Sequence, residues 1–380
     1  MPAAMMAIAA YTFLLFYLFA YPGLVTTNGG SVVINDFLSF WVAAREAVNG
    51  DPSTAYQTEK FAAIQTEILG RDAFFAFFYP PTYLLLILPL GLLSGILAFT
   101  VFQILSFAAV AWAGTRIAGH WHGVLLAAAL PTTFTSIFHG QNGLLLSALL
   151  GGALFLLSQG RGILAGLLIG LMTIKPQMGV LIPFALLAGG FWRCFASASA
   201  ATIIFVAVSV WVFGLETWEA FLLQSDFASR TLSEGLVDLH KFVSIYGATR
   251  LLGADASLAY GVQLIASLLA LAVLVKIWRA RVGFEAKAIV LVGAGLLATP
   301  FVLAYDLAVL LVPMAYLLRL HSLGKAQPWD MSLALVAILI AGACRFMAET
   351  IGVPLGPLVG LIILSIGVRH ARSDVGASPS

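Results

Sequence analysis

The sequence predicts an all-α polytopic membrane protein. Of its 380 residues, 61% are hydrophobic and only 9% are charged, and the mean hydropathy is +1.01. A soluble domain carries about 25% charged residues, so this chain has too few charges to cover a water-exposed surface. Soluble enzymes and nucleic-acid-binding proteins are therefore excluded. The net charge of only +2 also gives no reason to expect a polyanionic partner.

Apolar stretches long enough to approach the length of a membrane span recur along the chain and predict about 12 transmembrane helices. The first stretch follows no basic region and precedes no small-residue cleavage motif, which favours a retained span over a signal peptide. The predicted spans are 5–24, 94–117, 122–138, 141–158, 161–174, 176–190, 193–213, 257–277, 284–301, 304–320, 329–347 and 351–368.

The segment 80–92 is too short for a full crossing, at about 20 Å of helix, and is predicted to be re-entrant or half-inserted. The distribution of basic residues supports this even count of spans. With both termini in the cytoplasm, the positive-inside rule is satisfied by a set of eleven loop residues. They are Arg116, Arg161, Arg193, Lys276, Arg279, Arg281, Lys287, Arg319, Lys325, Arg369 and Arg372. A thirteenth full span would place all of them outside.

This topology leaves two long loops on the extracytoplasmic side, residues 25–79 and 214–256, which we call the first and second long loops. Both carry amphipathic patterns, at 36–48 and near Phe61 in the first and near Trp218 in the second. We expect these segments to be helices that lie in the membrane interface. Residues 1–372 are predicted to form one integral membrane domain, and the Ser/Gly/Pro-rich segment 373–380 a disordered cytoplasmic tail.

Polar side chains are placed at one end of the predicted spans rather than in their middles. The set at the outer ends comprises Asp36, Tyr79, His139, Gln141, Asn142, Lys175, Gln177, His240, Lys241, Tyr305, Asp306 and Arg345. Ionisable groups at membrane depth are costly and are functional candidates for that reason. Groups at the boundary are less costly, so a structural explanation stands beside the functional one for each.

The first half of this set has structural alternatives in helix termini. Asp36 is either an N-cap of the predicted helix or a catalytic group. Tyr79 precedes two prolines that favour the start of a helix, and His139 and Gln141 are residues that can satisfy a helix terminus. Lys175 either extends from its helix to water or, with nearby N–H groups, holds a phosphate.

The second half of the set also has both structural and functional explanations. Tyr305-Asp306 falls in a first helical turn, where the helix dipole stabilises a carboxylate without any function. His240-Lys241 fits a solvated surface as well as a site. Arg345 lies about one turn inside its span and requires an anion, from Glu349, Asp306 or a ligand.

Several short motifs follow one another on the same predicted side of the membrane. They are Asn35-Asp36-Phe37 with Trp41-Val-Ala-Ala-Arg45, Tyr79-Pro80-Pro81, His139-Gly140-Gln141-Asn142, Lys175-Pro176-Gln177 and Tyr305-Asp306. Their order and spacing resemble glycosyltransferase family 87, in the GT-C superfamily, from about residue 30 to about residue 320. The resemblance implies a GT-C type fold in the plasma (inner) membrane of a bacterium, with the active site facing the extracytoplasmic side.

The resemblance also implies the substrates. A hexose, with mannose as the first expectation, moves from a polyprenyl-phosphate donor to a lipid or glycan acceptor. Asp36 matches the position of the family's catalytic base, and the remaining polar residues of the set are expected to bind substrate. No metal or other cofactor is implied.

The chemistry of the residue types agrees with this expectation. One carboxylate suffices to accept the proton of an attacking hydroxyl, and a phosphate leaving group needs cations rather than an acid. The alternative is a transporter or lipid flippase, because twelve spans are also typical of transporters. A transporter would place its binding groups near the midplane, whereas the ionisable groups here lie at one end.

Overall fold

The computed structural model describes residues 36–72, 74–233 and 238–376, and within these ranges the chain is helical. No strand occurs there, and a single β-bridge joins Phe242 to Leu303. The predicted span 5–24 lies outside the described residues. In the first half of the chain the α-helices are α1 (Phe37–Val48), α2 (Thr58–Leu69), α3 (Pro81–Ile87), α4 (Gly95–Ala118), α5 (His122–Ala129), α6 (Pro131–His139), α7 (Gly143–Ser158), α8 (Gly162–Leu171) and α9 (Ile182–Ala188).

The second half of the chain continues the helical architecture. Its α-helices are α10 (Trp192–Phe213), α11 (Leu215–Ser233), α12 (Ile245–Leu251), α13 (Ala256–Arg279), α14 (Phe284–Ala298), α15 (Leu311–Ser322), α16 (Asp330–Ile351) and α17 (Gly356–Gly376). Short 3-10 helices connect several of them: Pro52–Tyr56, Leu88–Leu92, Met172–Ile174, Pro176–Gly179, Leu239–Lys241 and Ala304–Leu310.

Five helical segments of the described chain are long and apolar enough to cross a membrane. They are α4, α10, α13, the continuous segment Ala304–Ser322 and α16. Segment Ala304–Ser322 is mostly buried inside the protein, whereas α10 exposes large apolar side chains such as Trp211, at 84%. Apolar surface on this scale is unfavourable in water and is explained by contact with lipid. The all-helical fold of a polytopic membrane protein is thus confirmed.

Several predicted spans are shorter or broken in the structure. The predicted span 122–138 is two helices, because Pro131 lacks an N–H and Leu130 before it adopts an extended conformation. Predicted spans 161–174 and 176–190 contain α8 and α9, with the chain interrupted at Lys175-Pro176. At 1.5 Å per residue, α8 and α9 each reach less than the ~30 Å thickness of a bilayer core.

The amphipathic segments of the long loops form helices, but α1 is not an interfacial one. Phe37, Phe40, Ala43 and Ala44 are completely or almost completely buried, and α1 packs against α3 and the 3-10 helix that follows it. The Trp41 indole N–H donates to the Leu93 carbonyl at 2.9 Å. An apolar face predicts burial, but it does not tell whether lipid or protein provides it. The expected interfacial position was wrong for α1.

The two long loops contact each other, and the second one also contacts the residues just before the Ala304–Leu310 helix. The rings of Tyr56 and Phe221 meet edge to face, with centroids 5.7 Å apart. The Val243 N–H donates to the Val302 carbonyl at 2.9 Å, beside the bridge from Phe242 to Leu303. At the other end of the chain, α17 extends past the start of the predicted disordered tail at Ser373. Asp374 accepts a hydrogen bond from the Gly283 N–H at 2.8 Å.

Candidate active site

Asp36 precedes α1 but does not cap it. Its main-chain carbonyl accepts from the Ser39 N–H at 3.1 Å and from the Ser39 hydroxyl at 2.8 Å, while its carboxylate makes no capping hydrogen bond. Instead, Asp36 Oδ2 accepts from Gln141 Nε2 at 2.8 Å. The carboxylate is therefore engaged in a tertiary contact with a residue 105 positions along the chain. Of the two alternatives left by the sequence, the N-cap is the one that the structure does not support.

Gln141 connects Asp36 to a chain of buried tyrosine contacts. Its Oε1 accepts from the Tyr79 hydroxyl at 3.0 Å, and the Tyr79 carbonyl accepts from the Tyr56 hydroxyl at 3.0 Å. Burial, together with the negative charges of Asp306 and Asp36, raises the pKa of the Tyr79 hydroxyl well above its usual value. Tyr79 therefore remains a protonated donor at neutral pH.

Two glycines of the His139-Gly-Gln-Asn-Gly143 segment allow the two sides of the site to meet. Gly140 has a φ of +67°, and a Cβ atom there would lie 2.5 Å from the Cβ of Phe37. A Cβ atom on Gly143 would lie 2.4 Å from the Tyr305 carbonyl oxygen. The segment is thus in close contact with the residue after Asp36 on one side and the residue before Asp306 on the other. This packing explains why the segment contains glycines at these positions.

Lys175 and Asp306 form a buried ion pair. Lys175 Nζ lies 2.5 Å from Asp306 Oδ1, and the two side chains are 4% and 0% exposed. The second oxygen of Asp306 accepts from the Leu303 N–H at 3.0 Å, at the start of the Ala304–Leu310 helix. The ammonium group also lies over the Tyr305 ring, 4.9 Å from its centroid. Because each charge is offset by the other, neither is available to a ligand unless the pair separates.

Arg345 has a neutral partner. Its Nη1 atom lies 3.0 Å from His139 Nε2, and no carboxylate among the described residues forms an ion pair with it. Because arginine can only donate, His139 Nε2 must be unprotonated to accept this bond. Burial is the main cause that lowers the pKa of His139 to about 4, and the positive charges of Arg345 and Lys241 act in the same direction. The negative charge of Asp36 opposes them.

The pairing of Arg345 differs from the sequence-based expectation. Asp306, one of the two carboxylates proposed for it, is already paired with Lys175. His139 is instead the contact, and its pKa responds to both Asp36 and Arg345. The Asp36 carboxylate and the Arg345 guanidinium group therefore act on the pKa of His139 in opposite directions.

The other predicted site residues lie at different depths. Asn142 is completely buried, and neither polar atom of its amide meets hydrogen-bonding geometry, although the amide acts to lower the pKa of Tyr79. His240 and Lys241 are about half exposed and both lie near Asp238, with His240 Nδ1 2.8 Å from its carboxylate. Gln177 is partly buried in the Pro176–Gly179 helix and makes no described hydrogen bond with the rest of the set.

Two aromatic residues near the site were not predicted from the sequence. Tyr56 supports the Tyr79 carbonyl, as described above, and Tyr83 packs against Tyr79 with ring centroids 4.7 Å apart. Tyr56 belongs to a polar stretch of the first long loop that has no apolar periodicity. In such a stretch, the only feature of the sequence that could indicate a buried Tyr56 is that it is a tyrosine.

The arrangement separates two kinds of charged group. Lys175 and Asp306 satisfy each other, whereas Asp36 and Arg345 have uncharged partners in Gln141 and His139. A carboxylate whose partner is an amide can act as an acceptor for a second donor, and a guanidinium group whose partner is a neutral imidazole can bind an anion. Within the described residues, no three or more His, Cys, Asp or Glu side chains are grouped to hold a metal ion.

Comparison with known proteins identifies the family. Nothing among the curated proteins matches the chain. The sequence model of glycosyltransferase family 87 matches residues 77–304, which is more than half of the chain. The matched region contains Tyr79, His139, Gln141 and Lys175, while Asp36 and Arg345 lie beyond its two ends. The chain therefore belongs to glycosyltransferase family 87 and is a membrane glycosyltransferase.

Proposed function

We propose that this enzyme transfers a hexose, with mannose as the first candidate, from a polyprenyl-phosphate donor to a lipid or glycan acceptor. Asp36 is the general base. The acceptor hydroxyl oxygen attacks the anomeric carbon, the bond from that carbon to the phosphate oxygen breaks, and the proton of the hydroxyl passes to Asp36. The polyprenyl phosphate leaves with the bonding electron pair. A single displacement of this kind inverts the anomeric centre.

The observation that carries this proposal is the difference between Asp36 and Asp306. A base needs an accessible carboxylate that can take up a proton during the reaction. Asp36 is half-buried and accepts from a neutral amide, whereas Asp306 is almost completely buried against Lys175. Asp36 is therefore the better base of the two, and Asp306 is suited to holding Lys175 in place.

The donor phosphate is proposed to bind at Arg345. The charge that grows on the bridging oxygen needs a cation or N–H groups close to it. Arg345 is bound to neutral His139, so its charge is free to attract a phosphate, and Lys241 adds a second positive charge near His139. Lys175 contributes by orienting Asp306 and the Tyr305 ring rather than as an unpaired cation. Tyr79, Asn142, Gln177, His240 and Tyr305 are proposed to complete the walls around the sugar and its acceptor.

We further propose the topology that the basic residues favour. The enzyme is a multi-pass protein of the plasma (inner) membrane, with about 12 spans, both termini in the cytoplasm and the active site on the extracytoplasmic side. Residues 1–372 form a single membrane domain. The segment 80–92 enters the membrane without crossing it, in agreement with the short lengths of α3 and the Leu88–Leu92 helix.

Transfer is tested with membranes that contain or lack the protein. Each is supplied with radiolabelled polyprenyl-phosphate mannose, and the products are separated into lipid and glycan fractions. Label should pass to a new lipid or glycan only when the protein is present. If polyprenyl-phosphate donors carrying mannose and other hexoses all give no product, the proposed donor class is wrong.

The side of the membrane is tested separately with a cysteine at Ser53, in the first long loop. The two native cysteines, Cys194 and Cys344, are buried, so Ser53→Cys provides the accessible thiol. A membrane-impermeant maleimide should label it from outside intact cells. Labelling only in inside-out vesicles would reverse the proposed orientation. A cysteine at Ser158, an exposed residue at the predicted cytoplasmic end of the span 141–158, is the matched control with the opposite expectation.

A further inference from the structure

We propose that Gln141 is a positioning residue that holds the Asp36 carboxylate in the orientation needed for catalysis, rather than a residue that binds substrate. This inference rests on the proposed function of Asp36. It starts from the hydrogen bond between Gln141 Nε2 and Asp36 Oδ2, at 2.8 Å. Gln141 is only 5% exposed, whereas Asp36 is half-buried, so the carboxylate is the more accessible member of the pair.

Both ends of the Gln141 amide are engaged. The Tyr79 hydroxyl lies 3.0 Å from Oε1 and donates to it, which leaves Nε2 to donate to Asp36. In this orientation the amide stabilises the unprotonated carboxylate, the form that a general base must have before the reaction. The opposite orientation would place two oxygens against each other and would require a proton on Asp36.

The backbone of Gln141 is fixed as firmly as its side chain. Its N–H donates to the Ser136 carbonyl at 2.9 Å, and the Ser136 hydroxyl donates to the Gln141 carbonyl at 3.3 Å. Gly140, immediately before it, is in close contact with Phe37, immediately after Asp36. The distance between the amide and the carboxylate is therefore set by main-chain packing on both sides.

This arrangement leaves Asp36 Oδ1 for the acceptor hydroxyl. The described hydrogen bond to Asp36 uses Oδ2, and the restraint of one oxygen limits rotation of the carboxylate. A reacting group held in the right geometry gains rate, and a displacement of about 1 Å can cost on the order of 10²-fold. Loss of the Gln141 amide should therefore lower kcat while leaving the affinity for the donor nearly unchanged.

The test uses Gln141→Met, which keeps the length of the side chain and removes the donor. In the full-length enzyme we expect kcat to fall about 10- to 100-fold, with the donor KM within about twofold of wild type. The matched control is Gln103→Met. Gln103 is a buried glutamine whose amide lies near the Ile137 carbonyl, and it has no contact with Asp36. This control should retain wild-type kcat per amount of folded protein.

Combining Tyr79→Phe with Gln141→Met tests whether the two side chains act through the position of Asp36 or through the stability of the fold. Tyr79→Phe keeps the ring and removes only the hydroxyl that donates to Gln141, so it should lower kcat less than Gln141→Met does. The double variant should be no slower than Gln141→Met alone, because the hydroxyl and the amide both act through Asp36. Independent, multiplying losses would contradict this linkage. If Gln141→Met does not fold, Gln141→Asn keeps the amide but withdraws it by one methylene, and it should show the same selective loss of kcat.

The result also distinguishes this inference from the proposed function. An inactive wild-type enzyme with every polyprenyl-phosphate donor would overturn the proposed function, and the inference with it. An active wild type whose Gln141 variants fold and keep normal kcat would overturn the inference alone.

Discussion

The two carboxylates of the candidate site are held in opposite ways. Asp36 is half-buried and accepts a hydrogen bond from the neutral amide of Gln141. Asp306 is fully enclosed and is paired with the charged Lys175. The Asp306 carboxylate is therefore engaged by a charged group and closed to solvent, whereas the Asp36 carboxylate has a neutral partner and is more accessible. This contrast is the reason why the proposed mechanism uses Asp36 as the base and leaves Asp306 to hold Lys175.

The two cations follow the same division. Lys175 is enclosed with Asp306 and stacked near the Tyr305 ring, while Arg345 contacts neutral His139. Lys175 and Asp306 therefore neutralise each other within the protein. Asp36 and Arg345 have no charged partner among the described residues and present one negative and one positive group. In the proposed reaction, the acceptor hydroxyl meets the negative group and the donor phosphate meets the positive group.

The strongest test of the comparison is to neutralise each carboxylate. Asp36→Asn keeps an oxygen that can accept from Gln141, so we expect normal folding with transfer reduced by about 10² to 10⁴. Asp306→Asn leaves Lys175 as an unpaired buried cation, so we expect it to be less stable and to lose activity together with folded protein. Rates are measured in membranes and divided by the amount of folded protein from fluorescence-detected size exclusion. An Asp36→Asn enzyme with more than about a tenth of wild-type activity would exclude Asp36 as the base.

The second test concerns the ion pair itself. Lys175→Met leaves Asp306 without its cation, and breaking a buried pair in this way costs about 3 to 5 kcal/mol of stability. The double variant Lys175→Met with Asp306→Asn has no buried charge, and Asn can still accept from the Leu303 N–H. We expect its thermal unfolding in detergent to return close to that of wild type. Activity that returns with stability would establish a structural role for the pair.

A different outcome would change the assignment. If Lys175→Met folds as well as wild type but loses donor binding, the ion pair opens during the reaction and Lys175 contacts the phosphate. If the double variant is stable and inactive, Lys175 or Asp306 takes part in binding directly.

The sequence predicted the helical framework well where the apolar runs are long. The predicted span 94–117 matches α4, which begins after Ser94 and ends at Ala118, before Gly119 in a left-handed conformation. It failed where proline interrupts a run, at Pro131 and within the predicted span 176–190, which is a 3-10 helix followed by the short α9, because hydropathy alone does not register a missing N–H. It also could not tell that α1 is buried by protein, since an apolar face has the same pattern in either environment.

The sequence named the candidate residues one by one but gave no contacts between them. Lys175 and Asp306 are 131 residues apart, and Arg345 and His139 are 206 apart. Nothing in local spacing assigns such partners, and sequence reasoning offered Glu349, Asp306 or a ligand to Arg345 instead of His139. The pairing depends on how α6, α16 and the Ala304–Leu310 helix pack, which is decided by contacts such as those of Gly140 and Gly143.

The smallest expected effect comes from Arg345, because its partner is neutral and its loss leaves no buried counter-charge. Arg345→Gln can still donate a hydrogen bond to His139 Nε2, since the low pKa of His139, about 4, keeps that nitrogen an acceptor at neutral pH. We therefore expect thermal stability close to that of wild type. A hydrogen bond to a charged group contributes about 1.5 to 3 kcal/mol, so loss of the phosphate contact should raise the donor KM roughly tenfold or more.

The acceptor KM should change little in Arg345→Gln, because the acceptor brings no phosphate to this position in the proposed reaction. Arg250→Gln is the matched control: Arg250 lies in the second long loop and donates to the Ala254 carbonyl at 3.2 Å, so its replacement should leave both KM values unchanged. Both variants are assayed with donor and acceptor varied separately. Equal changes in the two KM values for Arg345→Gln would indicate a distorted site, and an unchanged donor KM would place the phosphate elsewhere, with Lys175 as the next cation to examine.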